Sequence, residues 1–297
     1  MSSPISLVVI IATNGRRSEF LVRCLQSLQD QESQADAVIC ASSTPNLPAA
    51  ALEFAQVVVD RIGGASSAKN LALAAIQSEL VAFLDDDCVA DRRWLRLLRE
   101  RFNHHGPELA GVTGGVLPTR EGLYLVRSEP HSTQRTFASL SESVPPWNIG
   151  GGLNMCFRRR VLLEVGGFDS RLGPGSRFRS AEELDLFCRI LARGYEIEYD
   201  PAALVYHEPL DTFPQVVRTR YSYRVGLGAF FAKNRQDPLQ RRIFRNFLST
   251  ELHDAKTSVS RLQPGQAVLS AFGLLGLFLG RALGTPYFSN PTAEVLR

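Results

Sequence analysis

The sequence predicts an α/β fold with a mostly parallel central sheet, helices on both of its faces, and a helical C-terminal extension. Short apolar strands and amphipathic helices alternate over roughly the first hundred residues, which is typical of doubly wound domains. The first strand is continuously apolar and rich in β-branched residues, as expected where a parallel strand is buried on both faces. From residue 210 onward the chain becomes basic and aromatic and then apolar, which indicates a separate C-terminal segment.

The composition fits one large α/β domain, with or without a helical appendage. The chain has 297 residues, 44% of them hydrophobic, and a formal net charge of +3. This charge is too small to indicate a nucleic-acid partner, and we expect none. The five cysteines are scattered and form no CxxC pair, which favours a reduced cytoplasmic protein without a disulfide framework or zinc site. The apolar run at residues 5–12 is too short for a signal peptide or membrane span.

The strands and helices can be assigned in order along the chain. We predict strands at residues 5–12, 36–41, 56–60, 80–84, 109–117, 196–199 and 202–206, and helices after the first strand and at 66–76, 91–103, 161–165 and 180–193. The segment 118–146 has weak periodicity and is interpreted as a functional loop or a disordered insertion. Neither GxGxxG after the first strand nor GxxxxGK[ST] is present, so dinucleotide and P-loop functions lose their main support.

Three consecutive carboxylates, Asp85, Asp86 and Asp87, end the strand at residues 80–84. Ligands of open α/β sheets bind beyond the carboxyl ends of the strands, and Mg²⁺ and Mn²⁺ prefer carboxylate oxygens. A cation site is therefore one interpretation. The other is a solvated acidic turn that opens the next helix, with Asp91 as its N-cap.

Two later stretches have both a structural and a functional interpretation. The glycines that precede Asn154 allow the backbone to approach a ligand closely. Ser180 and Glu183 fit the N-cap and third position of a capping box, and Asp185 can pair with Arg189 four residues on. His207 follows a strand and is either structural or a metal ligand.

In this order, these pieces resemble an inverting family-2 glycosyltransferase of the GT-A fold, over roughly residues 5–235. VVIIATNGR resembles the opening strand of that family, Ala68-Lys69-Asn70 its nucleotide-contacting element, and FLDDD its DxD motif. The longest match is GGGLNMCFRRRVLLEVGGFD followed by EELDL. The resemblance implies a GT-A fold, which is Rossmann-like, and a transfer of a sugar from a nucleotide-diphosphate donor, UDP- or dTDP-linked, to a hydroxyl of a glycan or lipid-linked acceptor in polysaccharide biosynthesis.

The resemblance also implies a role for individual residues. Mn²⁺ or Mg²⁺ would be bound by Asp85, Asp87 and His207. Glu183 would be the base that deprotonates the acceptor, with Glu182 and Asp185 as the alternatives. Donor contacts would come from Thr13, Asn14, Arg16, Lys69, Asn70, Asp85, Asp86, Gly151, Gly152 and Asn154.

Two departures from the family pattern bear on specificity. Relatives have an aspartate that binds the nucleobase after the second strand, where this chain has Cys40-Ala41-Ser42-Ser43. This weakens the case for uridine. Glu183 stands where the family has aspartate, and its extra methylene changes the reach of the base. A degenerate binding or assembly subunit and a nucleotidyltransferase remain the alternative functions.

The C-terminal part suggests a second kind of contact. We predict a catalytic domain at residues 1–209 and a helical extension at 210–297. Basic and aromatic residues interleave from 210 to 250, which suits an anionic membrane surface. The apolar run at 267–280 is shorter than a membrane span and is expected to be an interfacial or re-entrant helix, or a core helix. Peripheral contact with the inner face of the cell membrane is therefore an expectation.

Overall fold

The computed structural model describes residues 5–61, 63–123 and 131–289. The strands are β1 Leu7–Thr13, β2 Ala37–Ser42, β3 Gln56–Val59, β4 Leu80–Asp85, β5 Cys88–Ala90, β6 Leu109–Pro118, β7 Arg135–Phe137, β8 Asn154–Arg158 and β9 Glu196–His207. The helices are α1 Ser18–Gln29, α2 Ala49–Phe54, α3 Ala65–Ala75, α4 Trp94–His104, α5 Arg159–Glu164, α6 Glu182–Leu191, α7 Phe213–Lys233, α8 Pro238–Ser260 and α9 Pro264–Ser289, and a 3₁₀ turn covers Pro146–Asn148.

The strands form one mixed sheet in the order β3-β2-β1-β4-β8-β6-β9-β5, with β7 also paired to β9. The strands β3, β2, β1 and β4 are parallel to one another, as the alternating sequence pattern predicts. β8 then pairs antiparallel with both β4 and β6, while β6 and β9 are parallel. Strand direction is therefore mixed beyond β4. The sequence did not predict this, because the apolar pattern of a strand does not record its direction.

Helices cover both faces of the sheet, as predicted. Successive side chains of a strand point to opposite faces, so that Val9 packs with α1 and α4 on one face and Ile10 packs with α3, α5 and α6 on the other. Both residues are fully buried. This arrangement fixes the carboxyl ends of β1 and β4 side by side at one edge of the core.

Some predicted boundaries are wrong. The two predicted strands near residues 196–206 are one long strand, β9. The predicted loop at 118–146 contains the short strand β7, and its residues 124–130 lie outside the described part of the chain. α4 begins at Trp94 with Arg93 as its N-cap, so Asp91 is not the cap. Instead, the Asp91 carboxylate accepts a hydrogen bond from the backbone N–H of Arg93 in the preceding turn.

The C-terminal extension is helical, as predicted, and α7 and α9 pack unusually closely. A Cβ added at Gly228 would come within 2.1 Å of the Leu277 carbonyl oxygen, and one at Gly280 within 2.0 Å of the Val225 carbonyl oxygen. Only glycine permits this approach of two helix backbones. Leu277 is consequently fully buried against α7.

The opposite face of α9 is apolar and exposed. Its large exposed side chains are Val268, Phe272, Leu275, Phe278, Leu279 and Leu283. Within the described residues, α9 is the one helix long and apolar enough to cross a membrane, and 33% of its most apolar window is buried. α9 is therefore not the enclosed core helix that was one of the predicted alternatives.

Candidate active site

A cavity of about 640 Å³ opens beyond the carboxyl ends of β1 and β4, where the position of the aspartates predicts a ligand. The amino end of α3, the glycine segment 150–152 and the amino end of α6 form further walls. Residues of α7 and α8 close the remaining side. The cavity thus lies between the sheet and the C-terminal extension.

The three consecutive aspartates have different environments. Asp85 lines the cavity, and burial raises the pKa of its carboxyl against the opposing charge of Lys69. Asp86 is buried and accepts a 2.6 Å hydrogen bond from the Thr13 hydroxyl. Burial raises its pKa to about 6, although the Arg17 guanidinium bridges Asp86 and Asp87 and acts in the opposite direction.

Asp87 and His207 do not line the cavity themselves but meet beside its residues Asp85 and Asp86, because β5 and β9 pair antiparallel, with Cys88 opposite His207. The Asp87 carboxylate lies 3.5 Å from His207 Nε2, and both lie within 4.8 Å of the Cys88 sulfur. Two ligands of one Mn²⁺ or Mg²⁺ ion are separated by roughly 3 Å, so this carboxylate and imidazole fit a shared cation. The guanidinium of Arg17 at the same carboxylate shows that the site accommodates positive charge.

α6 begins at Glu182, and the predicted capping box at its start is wrong. The N-cap is Ala181, which has a left-handed φ of 74° and no side-chain hydrogen bond to the helix. The Ser180 hydroxyl instead donates to the Tyr223 carbonyl oxygen on α7 at 3.1 Å. Glu182 and Glu183 are therefore not needed to cap the helix, and both line the cavity.

Glu182 and Glu183 differ in what holds them. Glu182 is buried 3.7 Å from the ammonium group of Lys69, which is also buried and faces the rings of Phe83 and Phe168. Glu183 is half-buried and, among the residues that the structure describes, forms no ion pair, although the charge of Lys69 still acts on it. Burial, together with the negative charge of Glu182, raises the pKa of Glu183 to about 8. Such a carboxyl is well matched to proton transfer near neutral pH.

The glycine segment lies directly against Glu183. A Cβ at Gly152 would be 3.2–3.5 Å from three side-chain atoms of Glu183. Gly151, Thr13, Asn14 and Lys69 line the same cavity. These predicted donor-binding residues are therefore gathered around a single space.

Besides Asp87 and His207, four of the predicted site residues do not line the cavity. Both oxygens of Asp185 are bonded, one to Arg189 and one to Lys233, and neither faces the cavity. Asn154 is fully buried, donates to two backbone carbonyls and accepts from Trp94. The Asn70 side chain bonds the backbone of Phe168 in both directions, and Arg16 is exposed outside the cavity wall.

The sequence patterns did not single out several residues of the cavity. Arg17, rather than Arg16, reaches the aspartates. Trp147, Arg179, Tyr223, Arg224 and Phe247 line the side nearest the extension. For Tyr223, Arg224 and Phe247 the only sequence signal is the interleaving of basic and aromatic residues between 210 and 250, which does not show which of them face the site.

Comparison with known proteins identifies the fold and the family. The mixed sheet with its helices and helical extension has the GT-A fold. The family model for glycosyl transferase family 2 matches residues 7–165, and the chain belongs to this family. It is therefore a glycosyltransferase, as predicted.

Curated relatives match part of the chain. A pre-mycofactocin glycosyltransferase from Mycobacterium tuberculosis is 33% identical over 151 residues, which cover 49% of this chain and 30% of that protein. A glucosyl-dolichyl phosphate glucuronosyltransferase from Haloferax volcanii is 30% identical over 142 residues, covering 44% of this chain and 43% of the relative. The chain thus matches less than half the length of either relative.

One solved structure matches almost the whole chain. It is a mannosyltransferase from Pyrobaculum calidifontis in complex with GDP-Man and Mn²⁺. The TM-score is 0.61 at 18% identity, covering 97% of this chain and 89% of that one. This likeness establishes that the fold extends over the C-terminal helices as well as the sheet.

Proposed function

We propose that the protein is a metal-dependent, inverting glycosyltransferase. It moves a sugar from a nucleotide-diphosphate donor to a hydroxyl of a glycan or lipid-linked acceptor. The main support is the meeting, around one cavity, of a carboxylate edge that fits a cation and a carboxyl, Glu183, with a raised pKa. The fold's likeness to a mannosyltransferase in complex with GDP-Man and Mn²⁺ is consistent with this chemistry.

The donor's diphosphate belongs at the strand edge. Asp87 and His207 would hold the divalent cation, with Asp85 next to them, and the cation would supply neutralisation of the charge on the departing nucleoside diphosphate. Arg17 already lies at these carboxylates and would turn toward the phosphates when the cation binds. The Thr13 hydroxyl fixes the Asp86 carboxylate, which in turn holds the guanidinium of Arg17.

Glu183 would remove the proton of the attacking hydroxyl. Its carboxyl lies over Gly152 and opens onto the cavity, while Glu182 is paired with Lys69. Direct attack of the acceptor on the anomeric carbon inverts its configuration in a single displacement. Glu182, which pairs with Lys69, keeps a second negative charge near Glu183 and so raises the pKa of Glu183, while the charge of Lys69 itself acts in the opposite direction.

The extension would attach the enzyme to the cytoplasmic face of a membrane. The exposed apolar face of α9 has no charged residue among its six large side chains. α8 exposes Arg241 and Arg245 nearby in sequence, and these suit anionic headgroups. In a vesicle flotation assay, we expect binding to anionic liposomes that the double change Leu275→Ser and Phe278→Ser abolishes without lowering the melting temperature. Equal flotation of this variant, or dimerisation through the same face, would contradict membrane attachment.

A donor-hydrolysis screen tests the proposed function. The protein is incubated with UDP-, dTDP- and GDP-sugars with Mn²⁺ or EDTA, and the released nucleotide is identified. Nucleoside diphosphate released only with Mn²⁺ is the expected result. Pyrophosphate release would indicate nucleotidyl transfer instead, and silence with every donor, with or without alkyl glycoside and alkyl phosphate acceptors, would indicate a binding subunit.

A further inference from the structure

We propose that the acceptor of this enzyme carries a phosphate group, and that Arg224 binds this phosphate at the side of the cavity formed by the C-terminal extension. This inference deepens the proposed glycosyl transfer by naming the acceptor class, a phosphate-linked lipid. It rests on charge, burial and position in the extension.

The charges around Arg224 are unbalanced. Arg220 and Arg224 on α7 share a single carboxylate, Glu251 on α8, with hydrogen bonds of 2.6 to 3.1 Å. All three side chains are largely buried, at 28%, 17% and 8% exposure. Among the described residues, one of these two positive charges therefore has no carboxylate of its own in a region of low exposure, which is costly unless a counter-ion is supplied.

The hydrogen bonds are incomplete as well. Among the described residues, the Nε atoms of Arg220 and Arg224 are buried and have no hydrogen-bond partner. Buried donors are nearly always satisfied in folded proteins, so each such atom requires an explanation. Burial and the charge of Arg220 also lower the pKa of Arg224, and both effects would be relieved by a bound anion.

Of the two arginines, only Arg224 is directed to the ligand. It lines the cavity and Arg220 does not. Its guanidinium lies 4.6 Å from the centre of the Phe247 ring, and this ring packs edge-on against Trp147 at 5.2 Å. Both aromatic residues line the same cavity wall. A cation beside an apolar aromatic surface fits a ligand that is anionic at one end and apolar or ring-like next to it.

Arg179 adds a second cation to this wall. It lines the cavity and, among the described residues, forms no ion pair that balances its charge. Its backbone has a left-handed φ of 67°, an uncommon conformation for a residue with a side chain. Two arginines on one wall provide the forked donors that match phosphate oxygens.

The donor does not account for these two cations. Its diphosphate is served by the cation ligands at the strand edge and by Arg17, on β4, β5, β9 and the β1–α1 loop. The contacts of Arg224 are instead with α8 and α9, through Glu251, Phe247 and Gly276. The acceptor must approach Glu183 from a side that the donor leaves open, and the extension supplies that side.

The experiment uses the full-length protein and measures binding without a donor. Quenching of Trp147 fluorescence is followed with three probes: undecyl phosphate, undecanol and inorganic phosphate. A Trp147→Phe variant identifies the signal, because the other tryptophan, Trp94, is buried and bonded to Asn154. Arg224→Gln is compared with the matched control Arg220→Gln, which breaks the same contact to Glu251 without changing the cavity wall.

The expected result is tight binding of undecyl phosphate that Arg224→Gln weakens on the order of 10- to 100-fold, while Arg220→Gln changes it less than threefold. Glu251→Gln removes the competing carboxylate and should strengthen binding. In turnover assays, Arg224→Gln should raise the KM of the phosphate acceptor by a larger factor than it changes kcat, whereas Arg220→Gln should change neither by more than about threefold.

Three outcomes would overturn the proposal. Equal binding of undecanol and undecyl phosphate would show that the phosphate is not recognised. Inorganic phosphate that binds as tightly as undecyl phosphate would show a site for the free ion rather than for a lipid acceptor. Equal effects of the two arginine variants would show a structural cluster. Because binding is measured without donor, failure of the donor screen alone would refute glycosyl transfer and not phosphate recognition.

Discussion

Replacing Glu183 with glutamine tests its proposed role as the base, because turnover and folding stability can be measured separately in the same variant. Glutamine retains the shape of the side chain over Gly152 and removes its basicity. If Glu183 deprotonates the acceptor, turnover should fall on the order of 10²- to 10⁴-fold while donor and metal affinity stay unchanged. In the parent enzyme, kcat/KM for the acceptor should rise with pH and level off only above about pH 8, because the base must lose its proton. The variant should lack this dependence.

The same substitution should stabilise the folded protein at alkaline pH. The carboxyl has an ordinary pKa of 4.5 and a folded-state pKa of about 8, so between these values the folded state retains a proton that the unfolded chain has lost. Stability of the parent therefore falls as pH rises through this window. One pKa unit corresponds to about 1.36 kcal/mol, which gives a ceiling of about 5 kcal/mol. Because the residue is half-buried beside an open cavity, we expect about 1–2 kcal/mol.

Thermal unfolding at pH 5 and pH 8 measures this difference. The melting temperature of Glu183→Gln, relative to that of the parent, should be about 2–6 °C higher at pH 8 than at pH 5. Glu53→Gln, an exposed position on α2, is the control and should gain nothing. Glu182→Gln should be destabilised instead, because it leaves buried Lys69 without its carboxylate. A Glu183→Gln enzyme with normal turnover, or with the same pH dependence of stability as the parent, would refute the assignment of the base.

Three further predictions concern the surroundings of the base. Gly152→Ala should lower turnover roughly 3- to 10-fold at nearly unchanged stability, since the new methyl group must move the base by a few tenths of an ångström, as single-turnover kinetics would show. Asp87→Asn should weaken Mn²⁺ binding in calorimetry on the order of 10-fold or more, and normal affinity would contradict its role as a ligand. Lys233→Met should cost about 1–3 kcal/mol in denaturant unfolding, because it removes one of the two cations that pair with each of the buried carboxylates of Asp169 and Asp185, whereas exposed Lys256→Met should cost little.

The sheet and half of the site follow from local sequence signals. Consecutive residues such as Val9 and Ile10 place apolar side chains on both faces of their strand. That pattern alone predicts a buried parallel strand. Aspartates directly after such a strand must lie at its carboxyl end, so the position of Asp85 was predictable. The EELDL motif likewise predicted the helix that carries Glu183 into the cavity.

The roles of other site residues depend on contacts between distant parts of the chain. Asn154 occupies a conspicuous motif, yet its side chain bonds backbone carbonyls near residues 115 and 203, which no local pattern reveals. Asp185 was predicted to pair with Arg189, and it does, but its second partner, Lys233, comes from α7. Arg16 and Arg17 are adjacent arginines, and only the conformation of their loop decides which of them reaches the aspartates.

The extension is best understood as part of the active site rather than as an attachment to it. Lys233 ties the end of α7 to Asp169 and Asp185, whose motifs belong to the catalytic sheet domain. Burial alone would raise the pKa of Asp169, but hydrogen bonds from Arg171 and Lys233 hold it well below its ordinary value, so this link contributes stability at neutral pH that is lost on acidification below about pH 4.

The packing of α9 carries the same argument to the end of the described chain. Leu277 is buried against α7, and the glycines at the α7–α9 contact bring the two helix backbones so close that no side chain fits between them. α7 in turn supplies Tyr223 and Arg224 to the cavity wall. Residues 1–209 and 210–297 differ in composition. We nevertheless propose that they form one catalytic unit. Removal of α9 should disturb the acceptor side of the cavity before it changes the strand edge that binds the donor.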